Sequence, residues 1–413
     1  MGNIGDRDSF AHSPLELGEL SRTAASGPAK AEMNIIADEN IPFVREIFSA
    51  LGTVTCHPGR QMTSDLLAGA HALLVRSVTR VDEKLLAGST IRFVGTATIG
   101  TDHIDQSYLQ DSGITFTSAA GSNSTSVAEY VMTALLVLAQ KHAWNLSSMT
   151  LGIIGVGNIG SKVEKLASVL GLRVLPNDPP LQRTTGDQRF VSLDQILAEA
   201  QIITCHVPLT RSGPDATFHL FDQSRLESLK PKTVLFNTSR GPVVDNQALK
   251  NRLIKGDLGP VVLDVWENEP QIDVELLKLI SLATPHIAGY SYDGKVNGTI
   301  MLYRRLCQFL DQPQTADTGS LMPPPPVSQI TLDPTTDTEQ QLLTHAFTRI
   351  YDMAADDLRL RETTRLEPSK RGPFFDSLRK NYPIRREASN TRVILSPPNN
   401  NLAQKFSTLA FQI

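Results

Sequence analysis

The stretch Leu151-Gly-Ile-Ile-Gly155-Val-Gly157-Asn-Ile-Gly160-Ser-Lys-Val163-Glu-Lys-Leu166-Ala-Ser-Val-Leu170-Gly171 decides the fold. Leu151–Ile154 reads as a buried strand. Ile159, Val163, Leu166 and Leu170 then recur at helical spacing, and Gly171 stands where a helix stops. A G-x-G-x-x-G pattern alone is weak, but between a strand and a helix it is the arrangement that seats a dinucleotide. Gly155 permits the tight turn, Gly157 lets the backbone approach a pyrophosphate, and Gly160 lets the helix pack on its sheet. The helix start, with Asn158 and Ile159 in the turn, offers free N–H groups and a favourable dipole to phosphate.

Asp178 follows the next strand-like run, Arg173–Leu175, eighteen residues past Gly160. A carboxylate there accepts from both ribose hydroxyls and repels a 2′-phosphate, which favours NAD over NADP. Pro176 cannot donate to a ladder, so the strand is expected to end or bulge there. Further runs at Ile202–His206, Val234–Asn237 and Val261–Asp264 complete a Rossmann-type doubly wound parallel sheet. Upstream, Ile35–Ala37, Val54–Cys56, Leu73–Val75, Phe93–Val94 and Ile114–Phe116 alternate with helical stretches such as Ile41–Leu51 and Ile104–Asp111, a second α/β layer. A buried helix over Tyr130–Gln140 joins the two layers, and one over Gly298–Leu310 can cross back to the first.

The α/β organisation expected is therefore a leader at 1–32, a first unit at 33–126 completed by 290–312, and a dinucleotide unit at 127–289. A Pro-rich linker spans 313–337, and a small α+β unit spans 338–413. The leader is polar and without period, and reads as disordered; Met33, directly before the first strand, is an alternative start. Residues 339–413 hold twelve Lys or Arg and eight Asp or Glu, so this tail is +4 while the rest is −8. A unit of this size is marginal alone, and pairing with a second chain would stabilise it.

With 413 residues and a net charge of −4, the chain is not a globally basic nucleic-acid binder. Three scattered cysteines, Cys56, Cys205 and Cys307, build neither a disulfide framework nor a cysteine metal site. They fit a reducing cytoplasm; no metal is expected. The longest apolar run, near Tyr130–Ala139, is about half of the roughly 20 residues a membrane span needs, so no membrane association is expected.

Three residues carry candidate chemistry. Arg240 lies in Asn237-Thr238-Ser239-Arg240-Gly241, directly after a strand, in the crevice where open α/β sheets bind ligands. Its planar fork suits a carboxylate. Glu269 in Glu267-Asn-Glu-Pro270 and His286 in Pro285-His-Ile-Ala-Gly289 both follow strand-like runs of the same sheet. A carboxylate behind an imidazole fixes its tautomer and suits acid/base work near neutral pH. Oxidising an alcohol needs such a base while hydride departs.

The glycine turn, Arg240, Glu269 and His286, in this order, resemble the D-isomer-specific 2-hydroxyacid dehydrogenases. The resemblance narrows to members acting on a phosphorylated four-carbon hydroxy acid. It rests there on Arg76-Ser77-Val78-Thr79, Gly95-Thr-Ala-Thr98-Ile-Gly-Thr-Asp-His-Ile-Asp105, Gly289-Tyr290-Ser291 and the tail Phe375-Asp376-Ser-Leu-Arg379-Lys-Asn-Tyr-Pro-Ile-Arg385-Arg386. It covers the chain from about Met33 onward. It implies a flavodoxin-like substrate domain, an NAD domain and a C-terminal domain that forms a homodimer. It also implies that Arg240 holds the substrate carboxylate, and that His286, backed by Glu269, takes the hydroxyl proton. Ser77, Thr98 and Tyr290 would contact the phosphorylated acid. Asp178 would hold the ribose, and Thr238, Ser239, Arg240, Asp264 and Gly289 would line the nicotinamide side. Val207 stands where such proteins often have Thr, which removes a hydroxyl from the cofactor's surroundings. Arg379, Arg385 and Arg386 are candidates to reach a partner subunit's substrate phosphate. Two alternatives stay open: another phosphohydroxyacid dehydrogenase such as 3-phosphoglycerate dehydrogenase, and a non-enzymatic NAD-sensing scaffold.

Overall fold

The computed structural model describes residues 33–316 and 321–413, so the expected leader at 1–32 lies outside the described residues. The first sheet holds β1 (Asn34–Asp38), β2 (Thr53–His57), β3 (Ala72–Val75), β4 (Phe93–Thr96) and β5 (Thr115–Ser118), all parallel, in the order β2-β1-β3-β4-β5. That is the flavodoxin-like order. The second holds β6 (Thr150–Ile154), β7 (Arg173–Asn177), β8 (Ile202–Cys205), β9 (Val234–Asn237), β10 (Val261–Leu263) and β11 (Leu282–Ala283), also parallel. Its order is β11-β10-β9-β8-β6-β7, with the switch point between β6 and β8. A small parallel pair, β12 (Gln329–Leu332) and β13 (Arg392–Leu395), belongs to the tail.

Pro176 does not end its strand. It stays in register opposite Ile153, and β7 is an edge strand. A missing donor costs little there, because the outer side has no strand to bond. The Pro176 carbonyl still accepts from Val191 N at 2.8 Å.

The helix Ser124–His142 carries the chain from the first sheet to the second and is longer than its apolar run suggests. The helix Tyr292–Phe309 returns, and Leu302, Tyr303, Leu306 and Cys307 bury into the core of the first sheet. The stretch 313–337 is not all linker, since β12 falls within it and pairs with β13. Nor does the tail need a second chain for its core. Leu342, Leu343, Ala346 and Phe347 share one buried cluster with Tyr130, Ala134 and Leu138 of the connecting helix.

Two crossings thus form the hinge between the sheets, and they pack on each other. Ser126 Oγ donates to Ala288 O at 2.8 Å and accepts from Ser291 N at 3.1 Å. The tail closes over this point. The Arg385 guanidinium donates to Ser126 Oγ and to Ala288 O, Ala388 N donates to Glu129 Oε1 at 2.9 Å, and Ser291 Oγ donates to Glu387 Oε1 at 2.8 Å.

Candidate functional site

The site is built at the C-terminal ends of β6, β8, β9, β10 and β11. Gly155 has φ +86, and a Cβ there would stand 2.6 Å from the His206 carbonyl, so only glycine fits. Val207 packs on the same turn, giving it an apolar rim in place of a hydroxyl. At Gly157 an added Cβ would meet nothing, leaving open space in front of the turn. The amides of Gly157, Asn158 and Ile159 make no hydrogen bond within the described residues, and the helix Gly160–Val169 begins directly behind them. This cradle of free N–H groups at a helix start fits a pyrophosphate.

Asp178 stands at the end of β7 with both carboxylate oxygens engaged. Oδ2 accepts from Val156 N at 2.8 Å, inside the glycine turn, and Oδ1 from Leu181 N at 3.0 Å, capping the helix Pro179–Thr185. Each oxygen keeps a lone pair free for a ribose hydroxyl.

Glu269 and His286 meet as the spacing suggested. Glu269 Oε2 lies 2.7 Å from His286 Nδ1, and Glu269 Oε1 accepts from Trp266 N at 2.8 Å. Burial alone would raise the Glu269 carboxyl; the His286 ring, the Trp266 amide and the Arg379 charge outweigh it and hold the group below the usual carboxylate range. His286 adopts the left-handed φ of 58°. Asp264 enforces this turn: its main-chain carbonyl accepts from His286 N at 2.7 Å. Its buried carboxylate accepts from Ile287 N at 2.7 Å, Ala288 N at 3.0 Å and Thr284 Oγ1 at 2.6 Å. Burial raises the Asp264 carboxyl despite these donors. The carboxylate expected to line the nicotinamide side is thus committed to shaping the histidine loop.

Arg240 extends from the end of β9 across the cleft, its Nε 3.3 Å from Asp102 Oδ2 on the first sheet's side and its Nη1 2.8 Å from Ser239 O. Thr238 Oγ1 bonds His206 Nδ1 at 3.2 Å, and Ser239 Oγ donates to Asn237 Oδ1 at 2.8 Å, so both hydroxyls brace the loop. Gly289 packs against the Asn123 side chain at the hinge. Ser77 is exposed at the end of β3. Thr98 follows β4, with its hydroxyl on Thr96 Oγ1 at 2.8 Å and Gly100 O at 3.1 Å. Tyr290 lies just beyond the histidine loop.

The tail arginines make these contacts within the chain. Arg379 Nε donates to Tyr290 Oη at 3.2 Å, and Arg386 pairs with Asp293 at 2.9 Å in a buried bridge. Sequence reasoning missed Asp102 and Trp266: the direction in which the Asp102 side chain meets Arg240 leaves no periodic mark, and Trp266 acts on Glu269 through a main-chain N–H. Among the described residues one group, His219, Asp245 and Glu267, has metal-ligand types together. Its carboxylates already serve Ala248 N and Asn246 N, so it stands as a structural cluster.

The D-isomer specific 2-hydroxyacid dehydrogenase NAD binding domain profile matches residues 123–288, and a domain of unknown function matches 321–409. The chain belongs to the D-isomer specific 2-hydroxyacid dehydrogenases. Among its relatives is the erythronate-4-phosphate dehydrogenase of Klebsiella pneumoniae, 45% identical over 361 residues, covering 87% of this chain and 94% of that one. The enzyme of the same name from Marinobacter nauticus is 44% identical over 386 residues, covering 92% and 100%. The D-lactate dehydrogenase of Aquifex aeolicus, solved with NAD and lactic acid, superposes with a TM-score of 0.56 at 25% identity, over 67% of this chain and 95% of that one. The NAD-bound 3-phosphoglycerate dehydrogenase of Entamoeba histolytica, at 22% identity and TM-score 0.59, covers 70% and 99% and shares the fold.

Proposed function

We propose that this protein is an NAD-dependent dehydrogenase that oxidises 4-phospho-D-erythronate to (R)-3-hydroxy-2-oxo-4-phosphooxybutanoate, a step of pyridoxal 5′-phosphate (vitamin B6) biosynthesis. The observation that carries the chemistry is the Glu269–His286 contact at 2.7 Å, beyond the ends of β10 and β11, the two strands that follow in the sheet on one side of β9, which presents Arg240. The substrate is supported by relatives at about 45% identity that bear the name of that activity along nearly their whole length.

Bound NAD supplies a hydride acceptor at its nicotinamide ring. The chain's own residues do the rest. Gly155, Gly157, Asn158, Ile159 and Gly160 offer the pyrophosphate seat, and Asp178 the ribose contact. Val207, Thr238, Ser239, Asp264 and Gly289 shape the walls between them. Arg240 holds the substrate carboxylate and draws electron density from the reacting oxygen. Its present partner, Asp102, is 64% exposed. Such a pair contributes about 0–1 kcal/mol, so a substrate carboxylate can displace it. His286, with its proton fixed on Nδ1 by Glu269, presents Nε2 to the C2 hydroxyl and takes its proton. Ser77, Thr98 and Tyr290 contact the rest of the acid.

The C-terminal unit serves as a homodimer contact, supported by exposed Leu358, Ile384 and Ile413; light scattering on the purified chain tests this. A cytoplasmic setting fits the three free cysteines. No helix of the described residues is long and apolar enough to cross a membrane.

The test of function is nicotinamide absorbance with purified protein, NAD and either 4-phosphoerythronate or 3-phosphoglycerate, with an oxo-acid acceptor run in parallel to reoxidise any NADH that stays bound. Turnover of the four-carbon acid, abolished in His286→Ala, is the expected result. Turnover of the three-carbon acid alone would reassign the substrate, and NAD binding without turnover would favour a scaffold.

A further inference from the structure

Around Tyr290 the structure gathers three cations that no carboxylate bonds among the described residues, although the charges of Glu269 and Asp264 reach Arg379 and those of Glu129 and Asp356 reach Arg385. Lys295 Nζ sits 4.4 Å above the Tyr290 ring centre, and the Arg379 guanidinium lies 5.7 Å from the same centre while bonding the tyrosine oxygen at 3.2 Å. Arg385 is buried and stacks on Tyr351 at 4.4 Å. Its Nη2 serves Ser126 and Ala288, yet its Nη1 is buried with no hydrogen-bond partner. Arg76, next to Ser77 at the end of β3, completes the group, although it is held by Asp38 at 3.2 Å. Among the described residues neither Lys295, Arg379 nor Arg385 makes an ion pair. Burial, with the charges of Arg76, Arg385 and Arg379, pushes the Lys295 ammonium down to about 8. Tyr290, Lys295, Tyr382 and Arg385 line one cavity of about 520 Å³ between the first sheet's strand ends and the tail. Its far wall carries Glu39 and Glu46.

Buried like charges repel, and an unpartnered buried guanidinium N–H costs free energy, so a fold keeps such a cluster when an anion completes it. A dianionic phosphate takes several charge-assisted hydrogen bonds at once. A single carboxylate is already answered by Arg240 elsewhere in the cleft.

We propose that Lys295 and Arg379, backed by the charge of buried Arg385, form the phosphate seat that makes this enzyme select a phosphorylated hydroxy acid, with the C-terminal unit supplying two of its three cations to the cleft of its own chain. The inference rests on the substrate reading above and deepens it. It also gives the tail a specificity role beside any role in assembly.

The test is the ratio of kcat/KM for 4-phosphoerythronate to that for unphosphorylated erythronate, measured on the full chain with NAD. In Lys295→Met and Arg379→Gln the ratio is expected to fall about 100-fold, the scale of removing one partner from a buried charge contact. Lys295→Arg should restore most of it. The ratio does not depend on the fraction of variant that folds, so poor expression leaves the test intact. A purely structural role would depress both acids alike, and an unchanged ratio overturns the proposal. If the wild type turns over neither acid, the substrate reading has failed, and inorganic phosphate decides the seat on its own. Calorimetric phosphate binding to the NAD-loaded wild type that disappears in Lys295→Met sustains it. Equal binding in both, or none in either, overturns it.

Discussion

Glu269→Gln tests the acid/base dyad more sharply than removing the histidine, because the structure dictates how the amide must sit. The two carboxylate oxygens have separate duties: Oε1 accepts from Trp266 N at 2.8 Å and Oε2 faces His286 Nδ1 at 2.7 Å. A glutamine has one oxygen. The Trp266 amide claims it, so the NH2 group turns to Nδ1, which must then accept. The imidazole proton moves to Nε2, and the lone pair that would take the substrate proton is gone. Flipping the amide restores the tautomer only by leaving the Trp266 N–H unpaired, at a cost of about 1–3 kcal/mol. The variant also loses the negative charge that supports the imidazolium, a charge-assisted bond worth roughly twice a neutral one. Together these amount to about 4–5 kcal/mol, or about 10³–10⁴-fold in kcat, the range found when an orienting carboxylate becomes an amide in a catalytic triad. The assay is steady-state NADH formation with saturating NAD and acid, beside a fluorescence titration of NADH that should stay near the wild-type value. A kcat loss below about tenfold would refute the tautomer argument.

Three further outcomes are expected. Asp178→Ser keeps a helix-capping oxygen but loses the charge, so KM for NAD should rise by about 10–100-fold and turnover with NADP should become measurable. Asp293→Ala leaves buried Arg386 without its carboxylate, and chemical denaturation should show a loss of about 3–5 kcal/mol. Burial pushes the Glu387 carboxyl up to about 7, with Asp293 adding to the effect and Ser291, Arg385 and Lys162 opposing it. The native state therefore binds this proton more tightly than the unfolded chain. Stability should fall as pH rises through that range, and the drop in Tm between about pH 5 and pH 8 should be shallower in Glu387→Gln.

Both sheets were legible because parallel strands buried on two faces read as short apolar runs between helices. The glycine turn was legible because its backbone geometry admits few residue types. β11 is two residues long, too short for any run to show, yet it delivers His286 to the site. Pro176 misled because a sequence does not say which strand lies at an edge. β12 was hidden inside a Pro-rich stretch, since one strand pairing with another some sixty residues later leaves no local period. The dyad itself could be guessed from spacing, but not its dependence on the Trp266 main-chain N–H, which every residue but proline carries, nor on the Asp264 carboxylate, whose partners are main-chain amides that leave no mark in the sequence.

The tail's attachments bear on how the cleft works. Its bonds to the second sheet's side are many and half-buried: Gln340 to Leu146 N at 3.0 Å, Arg361 to the Leu277 and Ile280 carbonyls at 3.0 and 2.8 Å, and Asp357 to Ala283 N at 2.8 Å. Towards the first sheet, outside the hinge, it makes the exposed Arg60–Asp376 pair at 3.4 Å, a contact that contributes little. Relative motion of the two sheets would carry most of the tail with the second, while the Arg386–Asp293 bridge ties it to the start of the returning helix at the hinge. Arg379 then keeps its station beside Tyr290, Glu269 and His286, while Ser77, Thr98 and Arg76 move with the first sheet. A substrate whose carboxylate is held at Arg240 and whose phosphate is held beside Tyr290 lies along the second unit. Closure of the first sheet over it would exclude water without disturbing the groups proposed to move the proton.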